Sequence, residues 1–517
     1  MGNEMKTNAQ ANGKQLVVTF FLSIVAMITN YAVSLCLTPY ISNNLGTEAY
    51  GFVSLAKTIS NYGVIVTSCL NAYISRFVAV KYHEKKYSEA ITYYSSAFYA
   101  NITFILVSII IDVIFVWNIE SFFNVPETLL LDVKILFFTE IISYMIYSLS
   151  SVLGVYAYVK NRLSHISIVN IIYYVCEAII LIVLFGCLKG HIYYVAIALF
   201  GSAIISLLIY AILAKRNAPE LPLNIRKFSL KAVKELFLSG IWNSINSVGN
   251  LLNSGLDLWI TNLTLPPTAM GELSIVRTVS TIFTTVAQLI SRPFQPLLLL
   301  NYSSNKTERL VSIFKLQIKI AGYFAGVLAA GFISIGLSYF QLWTPNENIE
   351  LLNRIAIIVV LGFVFEGMVT PLFYTYTLTL KNRIPCFMTI LSGVINVLSM
   401  YLLLSDTSLG LYAVVGTTSV LGFFMYFVFT PLYAAHCIGA KLNSYYNSIF
   451  KVILSTAITV AICLCIPFDV ISNTWAGFIC SAFVIAIIGA IIMWICSFTA
   501  NERQFVIQSI KNRLNKE

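Results

Sequence analysis

The sequence predicts an all-α polytopic membrane protein. It has about 14 transmembrane helices, in two parallel-repeat six-helix lobes plus an appended helix pair. Three observations lead there. The 517 residues are 58% hydrophobic and only 10% charged, with a mean hydropathy of +0.83, against roughly 25% charged in a soluble domain. The apolar residues gather into segments of about 20, the length that crosses a bilayer. Finally, the stretch Thr47–Ser60, TEAYGFVSLAKTIS, returns 220 positions later as Pro267–Ser280, PTAMGELSIVRTVS.

Lipid demands that every backbone polar group be satisfied within the segment, which leaves helices or closed barrels. The ten-residue alternation of a barrel strand is absent, so helices remain. A net charge of +10 invites a nucleic-acid reading, but the positive residues sit at membrane edges. They therefore mark orientation and exclude nucleic acid as the expected partner. Ten cysteines give no disulfide framework; Cys36, Cys69, Cys176, Cys463, Cys465 and Cys480 lie in apolar stretches, where cysteine packs as a small residue. The pair Cys463 and Cys465 lacks partners for a metal, and His83, His165, His191 and His436 form no cluster. No metal and no cofactor is expected. The polar start MGNEMKTNAQANGK precedes a full-length apolar segment without a small-residue cleavage site, which reads as a first membrane helix.

The expected spans are 15–38, 51–78, 93–117, 131–156, 166–188, 192–214, 236–259, 271–295, 318–342, 353–379, 385–404, 410–434, 449–467 and 475–498, with the second, seventh and eighth least apolar. Placing the N-terminus in the cytoplasm puts 25 Lys and Arg residues on the inner side, 3 on the outer side and 4 within spans. That asymmetry orients the chain with both termini cytoplasmic. The expected organisation is an N-lobe over 1–220, a C-lobe over 221–440, and helices thirteen and fourteen with a tail over 441–517. Six is even, so both lobes run the same way and the repeat is parallel. The basic stretch Lys215–Glu235, with Pro219 and Pro222, links them. The loops are too short to hold a soluble catalytic domain.

Five of the 14 repeat positions are identical, and Lys57 is matched by Arg277. The same shift pairs Asn30 with Asn250 and Ser23 with Asn243. Both cations lie six residues inside apolar segments, about 9 Å deep at 1.5 Å per residue, where a charge is costly unless it faces water or an anion. Helix seven carries Asn243, Asn246, Asn250, Asn253 and Asp257 at spacings of 3 and 4, which is one stripe of a straight helix. Helix eight carries Arg277, Thr281, Thr284, Gln288 and Ser291, with Arg292 beside them; helix two carries Lys57, Asn61, Ser68, Asn71 and Ser75, with Arg76 near its end. Each stripe reads either as a helix–helix seam or as the wall of an aqueous cavity. With Ser23, Asn30 and Ser34 of helix one there are four such walls, largely basic and amide, and they suit an anionic ligand such as a phosphate or diphosphate. Arg76 and Arg292 lie near enough to the surface to snorkel. Asp257 reads either as a partner of Arg277 or as an ion-coupling carboxylate. Glu140, Glu177 and Glu366 are further candidates for coupling to a H+ or Na+ gradient, or are packing residues, as is Asp112.

The stretch Leu45-Gly46-Thr47-Glu48-Ala49-Tyr50-Gly51 resembles the LGxxxYG pattern of bacterial polysaccharide flippases, and Asp257 through Gly271 to Arg277 resembles the start of their second lobe. The chain as a whole is similar to the Wzx-like polysaccharide and O-antigen flippases of the multidrug/oligosaccharidyl-lipid/polysaccharide exporter superfamily. That resemblance implies flipping of an undecaprenyl-diphosphate-linked oligosaccharide across the cytoplasmic inner membrane by rocking of two lobes, with Lys57 and Arg277 as cavity cations. It implies membrane lipids as partners, with polysaccharide polymerase and chain-length machinery beside them, in O-antigen, capsule or exopolysaccharide synthesis. Half one has no acid matching Asp257, since the shift lands on Leu37. A cation-coupled drug antiporter of the same superfamily is the alternative, and it would want an acidic cavity. A membrane-embedded polymerase or glycosyltransferase would need a large external loop or a clustered carboxylate motif.

Overall fold

A computed structural model describes residues 2–291, 294–499 and 502–504. The helices of the first part are α1 (Gly2–Leu45), α2 (Thr47–Asn71), α3 (Ile74–His83), α4 (Tyr87–Trp117), α5 (Leu130–Leu153), α6 (Val155–Val159), α7 (Ser164–Cys187), α8 (Tyr194–Asn217), α9 (Leu230–Ser254) and α10 (Leu256–Thr264). Then come α11 (Pro267–Ser291), α12 (Gln295–Ser303), α13 (Thr307–Trp343), α14 (Ile349–Val369), α15 (Tyr374–Thr379), α16 (Arg383–Asp406), α17 (Leu411–Phe423), α18 (Thr430–Cys437), α19 (Tyr446–Leu464), α20 (Phe468–Ile471) and α21 (Trp475–Cys496). Among the described residues there is no strand. Among the described residues ten helices are long and apolar enough to cross a membrane, or 11 if the bent pair Thr47–Gly63 and Thr67–His83 is one span. Among the described residues the expected 14 spans fall largely on helices, so that figure is an approximate one; α5, α9 and α11 lie outside the set of 10.

Local chemistry sets the boundaries. Gly46, at φ 100°, makes the single-residue turn between α1 and α2, a conformation that side chains resist. Ser229 opens α9 by accepting from the Ala232 N–H, Asn348 opens α14 by accepting from Leu351, and Thr474 opens α21 by accepting from Gly477. A π-helical turn, Phe424–Phe429, joins α17 to α18.

The chain divides into two compact units, Met1–Gly271 and Glu272–Glu517. In the first, Leu70, Val78, Tyr94, Val152, Tyr156, Tyr210 and Leu236 form a core drawn from α2 to α9. The expected helix seven, α9 and α10, therefore packs with the first unit. In the second, α13 is the centre. Gly322 and Gly326 admit α19 so closely that an added Cβ would stand 2.4 Å from Val452 and 2.3 Å from Thr456. Small residues four apart are the usual way for membrane helices to approach. Lys319 on α13 is buried and pairs with Glu502, 2.6 Å from its Oε2.

The linker after α8 is sewn onto the first unit. Lys160 Nζ and the Tyr82 hydroxyl both donate to the Glu220 carboxyl. Further along, Asn224 N–H donates to Ser95 Oγ (3.0 Å), Lys227 Nζ to Ser88 Oγ (2.9 Å) and Ser229 N–H to Ser96 Oγ (2.9 Å). The hydrogen bonds from Lys160 and then Tyr82 hold the Glu220 carboxyl down at about 2. A depressed acid contributes its stability above its unfolded value of 4.5 and loses it only as pH falls toward about 2. We expect Glu220→Ala to raise the rate of tryptic cleavage after Arg226 and Lys227 several-fold, and wild-type protection to be the same at pH 6 and pH 8; gel densitometry of a digestion series measures both.

Candidate functional site

The expected site residues of the first unit lie on α1, α2, α3 and α9. Lys57 is half-buried, and Asn61, one turn further, is exposed with its amide donating to the Lys57 carbonyl at 2.9 Å. Asn30 on α1 and Asn246 on α9 are half-buried, and Asn250 is exposed. Asn253 donates to the Gly249 carbonyl at 2.9 Å. The side chain of Asn243 and all of Arg292 lie outside the described residues.

The seam between α2 and α9 is built from other residues. Ser68 and Ser244 hydroxyls lie 3.0 Å apart, and Ser244 Oγ is 3.0 Å from the Ile65 carbonyl and 2.7 Å from Cys69 Sγ. Gly240 lets the backbones meet, since an added Cβ would stand 2.0 Å from the Cys69 carbonyl oxygen. The amide stripe of α9 is thus not spent on this seam.

Two expectations about the stripes need correction. Helix seven is interrupted at Gly255, so Asp257 belongs to α10 and leaves the stripe of Asn246, Asn250 and Asn253. It is buried, at 7% exposure, and its Oδ1 accepts from the Leu258 N–H. Helix two bends by 55° between Gly63 and Thr67, so its two ends no longer share a face. Beyond the bend Asn71 faces the interior, exchanging bonds with Asn101 and donating to Ser148 Oγ at 3.2 Å. Ser23 on α1 likewise serves a seam, 2.9 Å from Ser167 on α7. Arg76 is exposed on the first turn of α3.

The repeat glycines meet. A Cβ on Gly51 would stand 2.9 Å from the Gly271 nitrogen, and one on Gly271 would stand 2.1 Å from the Thr47 carbonyl oxygen. The first turns of α2 and α11 therefore touch at the residues that the 220-residue repeat pairs. Nearby, Asn124 and Asn262 are joined through side chain and backbone at 2.9, 3.0 and 3.3 Å, which holds α10 to the loop after α4.

The structure adds a cluster that the stripes do not show. Glu140 on α5 is fully buried, with no hydrogen-bond partner on either carboxyl oxygen, and Glu177 on α7 is 5% exposed. Lys57 lies on α2, which packs against α5. Tyr144 and Tyr147 of α5 and Tyr173 and Tyr174 of α7 complete the surroundings, with the Tyr147 and Tyr173 rings 4.9 Å apart. The signal was present in the spacing: Glu140, Tyr144 and Tyr147, and Tyr173, Tyr174 and Glu177, each share one helix face.

In the second unit, Arg277 is half-buried on α11, Thr281 is exposed with its hydroxyl returned to the Arg277 carbonyl at 2.9 Å, and Gln288 is exposed. Glu366 on α14 is half-buried.

A family model described as Polysaccharide biosynthesis protein matches residues 16–295, more than half of the chain. The chain belongs to this family. Both repeat cations and the whole of helices α1 to α11 beyond the first residues fall within the match. Over 497 residues it is 24% identical to the Uncharacterized membrane protein EpsK of Bacillus subtilis (strain 168), covering 96% of this chain and 98% of that protein. A structure of lipid II flippase MurJ in an inward closed conformation aligns with a TM-score of 0.66 at 14% identity, over 92% of this chain and 98% of that one. An inward-facing multidrug resistance MATE family transporter of the MOP superfamily gives 0.66 at 13%, over 81% and 98%. This polysaccharide biosynthesis family member is therefore a multi-pass membrane protein with the fold of MOP superfamily transporters.

Close approach and open stripe predict different costs of substitution. Gly240→Ala and Gly271→Ala each drive a Cβ into a carbonyl oxygen, an overpacking worth about 1–3 kcal/mol, and should lower the unfolding temperature of the purified protein by several degrees. Asn250→Ala should leave it unchanged. Intrinsic fluorescence during heating in detergent measures all three.

Proposed function

We propose that this protein moves a polyprenyl-diphosphate-linked oligosaccharide across the cytoplasmic membrane by alternating access, with Lys57 and Arg277 as ligands of the diphosphate. The observation that carries the reading is the family match, which spans both cations and concerns polysaccharide biosynthesis. The similarity of fold to a protein described as a lipid II flippase supports it, since that protein's named substrate is a lipid. Composition supports it too: a hydrophobic chain with short loops is built for moving an amphiphile, and half-buried cations suit an anionic headgroup. The exposed amides Asn61 and Asn250 and the exposed Thr281 and Gln288 offer donors and acceptors to sugar hydroxyls. Both termini are assigned to the cytoplasm by the distribution of Lys and Arg.

A lone charge at this depth costs at least ~2.5 kcal/mol on insertion scales, so pairing with an anion is favourable. Replacing either cation by Ala should abolish surface polysaccharide while the protein remains abundant. Arg277→Lys should be milder, because the charge survives although bidentate bonding is lost. Arg76→Ala, at an exposed position, should be weaker still. Immunoblotting of polysaccharide and protein from complemented deletion strains tests the series. Normal polysaccharide from a well-expressed Lys57→Ala/Arg277→Ala variant would overturn the reading. In a cysteine-free background, single cysteines in 81–92 should be shielded from impermeant reagents outside the cell and those in 343–352 labelled; the reverse pattern would overturn the topology.

A further inference from the structure

The first unit carries a groove away from the polar stripes. It lies between α4 and α5, holds about 470 Å³, and is lined by Val113, Val116 and Trp117 of α4 and by Lys134 and Phe138 of α5. Along α4, Ile110, Val113, Ile114 and Trp117 are all exposed. Their spacing of 3, 1 and 3 puts them on one stripe, about 10 Å long at 1.5 Å per residue. Helix α4 is one of those long and apolar enough to cross a membrane, so this stripe faces lipid tails rather than water. Trp117, 80% exposed, ends the span, where an indole marks the membrane–water boundary.

The polar edge of the groove carries both signs of charge. Lys134 Nζ donates to Glu120 Oε1, in the loop after α4, at 3.0 Å. Both side chains reach solvent, and an exposed pair of this kind is weak, so each partner readily exchanges the other for a ligand group. Asp132, in the same turn of α5, is already taken by His191, whose Nδ1 lies 3.0 Å from its Oδ2. The position is also a repeated one. The 220-residue shift carries Lys134 onto Arg354, so two of the three basic residues assigned to the outer side are a repeat pair. Arg354 holds Glu350 at 3.2 Å within α14 alone, whereas the Lys134 pair joins α5 to the loop after α4 beside an apolar groove.

We propose that this groove binds a membrane lipid with a zwitterionic, primary-amine headgroup, of the phosphatidylethanolamine class. The lipid phosphate meets Lys134, the ammonium meets Glu120, and an acyl chain lies along the stripe from Trp117 to Ile110. The leaflet is the outer one, since the distribution of Lys and Arg puts this end of α4 and α5 outside. Charge selects the headgroup. A purely anionic lipid would satisfy Lys134 but set its own charge against Glu120. A zwitterion replaces one ion pair by two and leaves the local charge at zero. The amine must carry N–H groups, because an ionised carboxylate only accepts hydrogen bonds; a quaternary amine has none to give. The site is independent of what the protein transports.

The test uses the purified full-length protein in detergent, titrated with phosphatidylethanolamine, phosphatidylcholine and phosphatidylglycerol of matched acyl chains, with bound lipid counted by native mass spectrometry. The wild type should hold phosphatidylethanolamine about tenfold more tightly than either other lipid, the worth of one hydrogen bond to a charged group. Glu120→Gln leaves Lys134 without its acid and should turn the preference to phosphatidylglycerol. Lys134→Met removes the phosphate ligand and should weaken phosphatidylethanolamine about tenfold, while Lys134→Arg should keep it. Trp117→Ala should weaken all three lipids alike, and Arg354→Met should bind as the wild type does. A wild type that holds the three lipids equally, or prefers phosphatidylglycerol, overturns the proposal, and that comparison needs no variant to fold. A preference for phosphatidylethanolamine that survives Glu120→Gln unchanged overturns it as well.

Discussion

A polar side chain inside an apolar helix must be satisfied by the protein or by water. The polar design of the helices follows from that constraint. The helices satisfy their own backbone, and Ser and Thr within them return their hydroxyls to carbonyls four residues back, as Thr58 does to Ser54 and Thr278 to Ser274. Such groups are satisfied locally and impose nothing on their neighbours. Lys, Glu and Asn cannot be satisfied that way. Asn71 therefore locks to Asn101 and Ser148, and Asn262 locks to Asn124.

Reading the helices from the sequence succeeded where a helix is straight and failed where it bends. The repeat was visible as identical letters, and it is physical: Gly51 and Gly271, paired by the 220-residue shift, are the residues where two first turns touch. The amide stripe of α9 was visible as a 3–4 spacing, and its members Asn246 and Asn250 do remain open. The same spacing misassigned Asp257, because periodicity assumes one continuous helix and Gly255 interrupts it. It also misassigned Ser68 and Asn71, because a 55° bend turned them into the unit. Neither Gly63 nor Gly255 announces a bend on its own, since glycine inside an apolar helix also serves close packing, as Gly322 and Gly326 do.

The acid cluster was legible only in pieces. Glu140 and Glu177 each stood out as an acid in an apolar segment, and each had a packing explanation. What the sequence lacks is the knowledge that α2 lies against α5, and that Tyr147 of α5 meets Tyr173 of α7. No local pattern encodes that, because Lys57, Glu140 and Glu177 are separated by 83 and 37 positions along the chain.

The 220-residue repeat matches the cation and not the acids. Shifting Glu140 and Glu177 by 220 lands on Val360 and Val397, while shifting Glu366 back lands on Ile146. The second half has Lys57's counterpart in Arg277 but carries its acid, Glu366, on α14, which packs against the π-helical turn, a local geometry that often marks functional segments. The matched cations differ in kind. Arginine's guanidinium is planar, weakly hydrated and able to bond two oxygens at once, whereas lysine's ammonium is a compact, strongly hydrated charge on a flexible stem. The two halves therefore carry different donor geometry at the same repeat position.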